Sequence, residues 1–181
     1  MILFDSYIYQ LILKIFWPTI QLTIIMKLIT TLGSAIFIIT AIICVGILSK
    51  NKKYFFIFSL CNLIGVILNN IIKIIVKRPR PTNTLILTTE KSYSFPSGHS
   101  MSSMIFYGLL IYYIANTIKN KKIKILLISL LTAIILLIGL SRIYLGVHYA
   151  TDVAGGYLIG LLYLITFIKI SNKKISLIDK K

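Results

Sequence analysis

The chain has 181 residues, of which 57% are hydrophobic and 13% are charged. A soluble globular domain carries about 25% charged residues, so this composition excludes an ordinary cytosolic fold. Lys and Arg number 20 against 4 Asp and Glu, and because these cations cluster between long apolar runs they indicate a polytopic membrane protein, not a partner of nucleic acid.

Apolar runs of about 20 residues, the length that crosses a bilayer, divide most of the chain. The first candidate, 6–26, contains Lys14 and the Trp17-Pro18 pair, so it is either a kinked first span or a helix in the interface, and we favour a span. Five firmer candidates follow at 28–49, 54–72, 100–118, 125–141 and 152–168. The first ten residues lack the basic stretch and cleavage site of a signal peptide, so no cleaved leader is expected.

These runs predict an all-α fold, a polytopic membrane helical bundle of six transmembrane helices in a single domain over residues 1–181. Loops 50–53, 119–124 and 169–181 share one side of the membrane and contain 12 lysines. Such an excess in short loops is typical of the cytoplasmic face. Segments 73–99 and 142–151 then face outward, and they hold every arginine and both histidines, which topology does not explain.

The first polar motif follows the 54–72 span and reads KIIVKRPRP. Proline cannot continue a helix and favours extended geometry in the residue before it. Lys73 is therefore expected in the last turn of the helix and Arg80 on the extended segment that leaves it, so that both cations fold over one helix end. Lys77 and Arg78 are interpreted as interfacial residues whose charged heads reach the membrane surface.

The second motif reads FPSGHSMSS and precedes the 100–118 span. Pro-Ser-Gly suits a loop that enters a helix, with Ser97 or Gly98 near the N-cap. The free N–H groups and the positive end of the helix dipole there form an anion site. His99 falls in the first turn, facing whatever that site binds. A plain helix cap would explain the serine and the glycine but gives no reason for the histidine.

The third motif reads SRIYLGVHYATD. His148 and Asp152 are four residues apart and are expected on one face of a helix. A carboxylate on one imidazole nitrogen fixes the tautomer and frees the other nitrogen as nucleophile or base. Arg142 lies at the end of the preceding span. The alternative for the His–Asp pair is a polar contact that merely stabilises a helix start.

Together the motifs supply three cations, a helix N-terminus and two histidines. Guanidinium groups bind phosphate oxygens in a bidentate manner, and cations stabilise the charge of a phosphoryl transition state. This set predicts covalent phosphoryl transfer without a metal or cofactor. The alternative is a two-His, one-carboxylate metal site formed by His99, His148 and Asp152. It is disfavoured because the nearby cations would repel a divalent ion and no spare carboxylate offsets them. A two-metal carboxylate cage is disfavoured because the acidic residues of the chain are scattered along it, at Asp5, Glu90, Asp152 and Asp179.

The three motifs resemble the signature of the type-2 phosphatidic acid phosphatase superfamily, membrane lipid phosphatases related to vanadium haloperoxidases. The family pattern K-x6-R-P, P-S-G-H and S-R-x5-H-x3-D is matched without a gap within residues 73–152. The resemblance implies a helical bundle of six spans with its site at the outer interface. It also implies His148 as the nucleophile of a phosphohistidine, Asp152 as its orienting partner, His99 as general acid, and a phosphate site made of Lys73, Arg80, Ser97, Gly98 and Arg142.

A site at the membrane surface implies an amphiphilic phosphate as substrate, so the expected partners are that lipid and the bilayer. Our best prediction is undecaprenyl diphosphate, which an extracytoplasmic site in a bacterial plasma membrane would meet. Phosphatidylglycerol phosphate and phosphatidic acid present the same terminal group and stay as alternatives. A catalytically silent lipid-binding or transport relative is disfavoured because no motif residue is missing.

Overall fold

The computed structural model describes residues 3–48, 52–82 and 84–178, and those ranges contain helices and loops without strands. The helices are α1 (Leu3–Ile15), α2 (Ile20–Thr31), α3 (Ala35–Leu48), α4 (Lys52–Val76), α5 (Gly98–Thr117), α6 (Lys121–Tyr144) and α7 (Ala150–Ile178). The predicted all-α class is confirmed.

The predicted count of six spans is not confirmed. Within the described ranges, three stretches are long and apolar enough to cross a membrane, namely 55–76 of α4, 121–144 of α6 and 150–172 of α7. A fourth is added if α2 and the first part of α3, which are bent by 51°, count as one broken span. α5 is not among these stretches, because polar residues lie in its first turn and at its C-terminal end.

The N-terminal third departs from the prediction in its helix boundaries. The candidate 6–26, expected as a kinked span or an interfacial helix, is two helices, because α1 ends at Ile15, before Trp17-Pro18, and α2 begins after its N-cap Thr19. With 13 residues α1 is about 20 Å long, too short for a hydrocarbon core of about 30 Å. The candidate 28–49 is also two helices, since the chain turns between α2 and α3.

The bend between α2 and α3 packs against the start of α5. A Cβ on Gly33, at the bend, would lie 2.7 Å from the Cγ2 of Ile138 and 3.3 Å from the carbonyl oxygen of His99. The hydroxyl of Tyr107 donates to the carbonyl of Leu32 at 2.9 Å. Glycine therefore allows a close approach that fixes the broken helix pair behind the PSGH segment.

α5 lies at the centre of the bundle and packs against α4, α6 and α7. Its contact with α7 is made through glycines. A Cβ on Gly156 would lie 2.8 Å from the carbonyl oxygen of Ser97, and one on Gly160 would lie 3.1 Å from that of Met101. Small residues at this spacing let two helix backbones approach closely, as is common between membrane helices.

The helix directions gather all three motifs at one end of the bundle, where α4 and α6 end and α5 and α7 begin. The start of α4 meets the ends of α5 and α7 at the opposite end, around a cavity lined by Lys53, Tyr112 and Ser171. The amine of Lys124 donates to the carbonyl of Ala115 at that same end. The motifs and the lysine-rich loops therefore lie at opposite ends.

The cytoplasmic placement of the lysine-rich end stays a prediction, which cysteine labelling can check. A single cysteine at the exposed Thr89, near the motifs, should react with an impermeant maleimide in intact cells. One at the exposed Lys122 should react only after the membrane is permeabilised. The background must lack the two native cysteines, the exposed Cys44 and the buried Cys61. The reverse pattern of labelling would place the motifs in the cytoplasm.

Candidate active site

Lys73 closes one side of the site and is 7% exposed in the last turn of α4, as predicted. Its Nζ donates to the carbonyls of Tyr93 at 2.5 Å and Ser94 at 3.4 Å. These carbonyls belong to the segment that enters the PSGH motif. The lysine thus ties the linker to the end of α4 while its positive charge stays close to the motifs.

Arg80 lies on the extended segment after α4 and reaches the nucleophile candidate. Its Nη1 lies 3.2 Å from the Nε2 of His148 and donates to the carbonyl of Val147 at 2.7 Å. Its Nε donates to the carbonyl of Ser92 at 2.7 Å. The two cations of the first motif therefore meet at one site, as the K-x6-R spacing predicts.

The PSGH segment caps α5 as the sequence indicates. Ser97 is the N-cap, and its Oγ accepts from the backbone N–H of Ser100 at 3.4 Å. Its own N–H donates to the carbonyl of Asp152 at 3.1 Å, which joins α5 to α7. Gly98 is the first helical residue, and His99 follows it in the first turn. Burial, aided by the charge of Arg142, lowers the pKa of His99 to about 3.

His148 and Asp152 meet, although not on one helix face. His148 lies in the turn before α7, and Asp152 lies in the first turn of that helix. The Nδ1 of His148 is 3.4 Å from Oδ2 of the carboxylate, which also accepts from the N–H of Tyr149 at 2.9 Å and from the hydroxyl of Ser94. The carboxylate thus reaches back to the N-cap, as in a capping box.

The environment of His148 keeps its ring neutral. Burial, together with the charge of Arg80, lowers its pKa to about 4, against the opposing effect of the hydrogen bond to Asp152. A carboxylate beside Nδ1 favours the tautomer with the proton on that nitrogen. The lone pair is then on Nε2, which faces Arg80.

The linker over the site is fastened to the turn that carries His148. Gly146 has a φ of 75°, and a Cβ there would lie 2.4 Å from the carbonyl oxygen of Leu85. The hydroxyl of Thr84 donates to the carbonyl of Gly146 at 3.0 Å, and the N–H of Leu87 donates to that of Leu145 at 3.1 Å. A side chain at this position would be strained in backbone and in contact.

Arg142 brings the third motif to the site and already holds an anion. It is 2% exposed, and its Nη2 donates to the carboxylate of Glu90 at 2.5 Å, while Nη1 donates to the hydroxyl of Thr30 at 3.0 Å. Its Nε is a buried donor with no partner among the described residues. Burial raises the pKa of Glu90, but the charge and hydrogen bond of Arg142 outweigh it, so that pKa stays below its usual value.

One expectation from the sequence is wrong at this site. Arg78 does not extend to the membrane surface: its Nη1 lies 2.6 Å from Asp152 and its Nη2 lies 2.8 Å from Asp5. The sequence also did not reveal the partners of the acidic residues: Asp5 and Asp152 both pair with Arg78, and Glu90 pairs with Arg142. Asp179 lies outside the described residues. The sequence held one signal for the pairing of Asp5: a carboxylate in an apolar N-terminal segment needs a cation when it is buried.

Two cavities adjoin the motifs. A cleft of about 710 Å³ is lined by Asn70, Lys73, Ile74, Arg78, Pro79, Arg80, Glu90, Lys91, Ser92 and Tyr93. A groove of about 380 Å³ between α3 and α4 is almost entirely apolar and reaches Ser102 in α5. Among the described residues no group of three or more His, Cys, Asp or Glu side chains is arranged to hold a metal ion.

Comparison with known proteins identifies a family and several relatives. A sequence model described as PAP2 superfamily matches residues 54–176. Phosphatidylglycerophosphatase B of Bacillus subtilis (strain 168) is 34% identical over 164 residues, which are 87% of this chain and 78% of that protein. Undecaprenyl-diphosphatase BcrC of the same organism is 27% identical over 68% of this chain and 61% of its own length. Lipid phosphate phosphatase delta of Arabidopsis thaliana is 27% identical over 69% of this chain and 32% of its own length.

Two crystal structures share the fold. A transmembrane PAP2-type phosphatidylglycerolphosphate phosphatase from Bacillus subtilis matches 93% of this chain and 85% of its own, with a TM-score of 0.82 and 30% identity. LpxE of Aquifex aeolicus matches 91% of this chain and 94% of its own, with a TM-score of 0.68 and 26% identity. The likeness therefore extends beyond the motif region to most of the helices.

Proposed function

The chain belongs to the PAP2 superfamily and is an integral membrane phosphatase acting on lipid phosphates, and on that premise we propose its substrates and mechanism. It removes the terminal phosphate of phosphatidylglycerol phosphate, and also that of undecaprenyl diphosphate, through a phosphohistidine on His148. The observation that carries this is the environment of Arg142, whose Nη2 holds a carboxylate while its buried Nε lacks a partner among the described residues. A phosphate in place of that carboxylate would accept from both nitrogens.

The first step forms a bond from Nε2 of His148 to phosphorus and breaks the bond from phosphorus to the lipid oxygen. Asp152, beside Nδ1, stabilises the positive charge that the ring acquires. His99 gives its proton to the departing oxygen. Lys73, Arg80 and Arg142, with the N-terminus of α5 at Ser97 and Gly98, bind the phosphoryl oxygens. In the second step His99 takes a proton from water, which attacks phosphorus and releases His148.

His99 can act as an acid only with substrate present. In the free site its pKa is about 3 because of burial and neighbouring cations, so the ring is neutral at pH 7. A bound phosphate offsets those positive charges and favours the protonated ring. Binding of the substrate phosphate therefore favours the protonated His99 that the leaving lipid oxygen needs. A ligand without a phosphate would leave His99 neutral.

The two cavities support substrates with a tail and a polar head. The apolar groove ends at Ser102, three residues after His99, and suits a hydrocarbon chain. The larger cleft adds Lys91 beyond Lys73 and Arg80, and suits a glycerol headgroup or a second phosphate. The similarity to phosphatidylglycerophosphatase B supports the first substrate and that to undecaprenyl-diphosphatase BcrC supports the second.

Phosphate release from purified protein in mixed micelles tests the proposal. We expect kcat/KM for phosphatidylglycerol phosphate and undecaprenyl diphosphate to lie within about 100-fold of each other, a difference of about 2.7 kcal/mol in barrier. If undecaprenyl diphosphate were inert while the glycerolipid turned over, the second substrate would be wrong. No release from any lipid phosphate would favour the catalytically silent alternative.

Metal removal gives a separate prediction. Because cations of the chain itself surround the phosphoryl group, activity should be unchanged after dialysis against EDTA. Orthovanadate, which adopts the trigonal-bipyramidal geometry of the transition state, should inhibit competitively. Loss of activity in EDTA with recovery on adding zinc or magnesium would instead support the metal site of His99, His148 and Asp152.

A further inference from the structure

The N-terminal helix α1 contributes a carboxylate to the hydrogen-bond network that holds Asp152, the partner of His148. Asp5 lies in its first turn, is 1% exposed, and precedes the family-matched region 54–176. One oxygen accepts from the N–H of Thr151 at 2.9 Å, and both accept from the Thr151 hydroxyl at 2.9–3.0 Å. That N–H is one of the free donors at the start of α7, so Asp5 caps this helix from another part of the chain.

Arg78 joins this carboxylate to Asp152. Its Nη2 donates to Asp5 at 2.8 Å, and its Nη1 donates to Asp152 at 2.6 Å and to the Thr151 hydroxyl at 2.7 Å. The Tyr149 ring lies 4.1 Å from the guanidinium carbon and fixes its plane. One arginine therefore bridges two fully buried carboxylates.

The net charge of Asp5, Arg78 and Asp152 determines how strongly this group stabilises a positive charge on the His148 ring. Arg78 alone would neutralise Asp152, and the pair would attract a positive imidazole ring only weakly. Asp5 supplies a second negative charge to Arg78, so the three groups together carry one net negative charge beside His148. In a buried site such a change in net charge is poorly screened.

We propose that Asp5 and Arg78 are positioning residues for phosphoryl transfer, and that α1 is thereby a working part of the active site. The inference rests on the proposed role of His148. Arg78 holds Asp152 in place, and Asp5 keeps Arg78 from cancelling the charge that stabilises the ring during attack on phosphorus. Asp5 is 1% exposed and is not among the residues that line the cleft, so its effect falls on kcat and not on KM.

Steady-state kinetics of Asp5→Asn and Arg78→Gln test the inference. The amide at position 5 can still accept from Thr151 but leaves Arg78 paired with Asp152 alone, where it cancels the charge of that carboxylate, so kcat should fall about tenfold or more with KM within about twofold. Adding Arg78→Gln should then restore part of kcat, because it frees the negative charge of Asp152. Tyr7→Phe, at an exposed site on α1, is the control and should match the unmodified protein.

The outcomes separate this inference from the proposed function. A kcat for Asp5→Asn equal to that of the unmodified protein, a change in KM alone, or additive losses in the double variant would overturn it. Thermal unfolding of each variant reports whether the fold is retained. Should Asp5→Asn be too unstable to purify, the double variant can be compared with Arg78→Gln. Both keep a net negative charge beside His148, so their kcat values should lie within a fewfold, and a further tenfold loss would contradict the charge argument. An unmodified protein that releases no phosphate would instead reject the function itself.

Discussion

His148→Ala is expected to abolish turnover of lipid phosphates, with a loss of at least about 10⁴-fold in kcat, the range seen when a nucleophile of a catalytic unit is removed. The lone pair of its Nε2 faces Arg80, and no other imidazole nitrogen of the described site has a carboxylate partner like Asp152. Rapid quench in alkaline SDS with a ³²P-labelled substrate should trap a phosphoprotein that is stable in alkali and labile in acid in the unmodified protein, and none in the variant. Retention of a tenth of the activity would reject the covalent step.

His99→Ala is the matched comparison for that experiment. It should slow the release of a lipid alcohol strongly and that of p-nitrophenol only weakly, because an activated leaving group needs no acid.

The pH dependence of activity separates the two histidines further. With a pKa of about 4 in the free protein, His148 becomes protonated and loses its lone pair below that value. We therefore expect kcat/KM to fall as the pH drops through about 4.

Arg142→Gln should lower kcat/KM by about 10²- to 10³-fold, the cost of removing a donor aimed at transition-state charge. The variant loses the positive charge and the donor fork that the phosphate would share, and it leaves Glu90 without its partner. Lys122→Gln makes the same change of charge at the opposite end of α6, where the lysine is exposed, and should leave kinetics unchanged. Equal losses in both variants would indicate a general effect of charge and not a phosphate site.

Glu90→Gln should act in the opposite direction at the same arginine. The carboxylate occupies Arg142 in the free site and must be displaced by phosphate, so its removal should lower KM and the inhibition constant of vanadate severalfold. Measuring both constants in Arg142→Gln, Glu90→Gln and their combination would show whether the two side chains act on one ligand. An unchanged KM in Glu90→Gln would mean that the pair does not compete with substrate.

The motif residues could be located from sequence because local rules fix them. A helix that ends at a proline-rich segment brings Lys73 and Arg80 together, and the PSG segment places His99 in the first turn of α5. The four-residue spacing also predicts the contact of His148 with Asp152, which the structure confirms even though His148 precedes the helix. Such features depend on a few neighbouring residues, and distant packing did not change them.

Contacts between distant segments could not be predicted in this way. Arg78 lies 73 positions from Asp5 and 74 from Asp152, and its position at the end of a span suggested the membrane surface. The break of 6–26 follows from Trp17-Pro18, but whether α1 returns to the site depends on packing against α6 and α7. Hydropathy reports lipid exposure and length, so it also missed the turn at Gly33, where tertiary contact with α5 decides the geometry.

The glycine contact between α5 and α7 determines the distance between His99 and His148. His99 belongs to α5 and His148 lies two residues before α7, so the distance between these helices sets the gap between the two rings, where we propose that the in-line displacement occurs. At Gly156 that distance is limited by backbone against backbone, with the carbonyl oxygen of Ser97 2.8 Å from where a Cβ would be. One added methyl group would push the two imidazole rings apart, and if they have the roles proposed, a misplacement of about 1 Å can cost about 100-fold in rate. The distance between the two histidine rings is thus set by glycines, which carry no functional group.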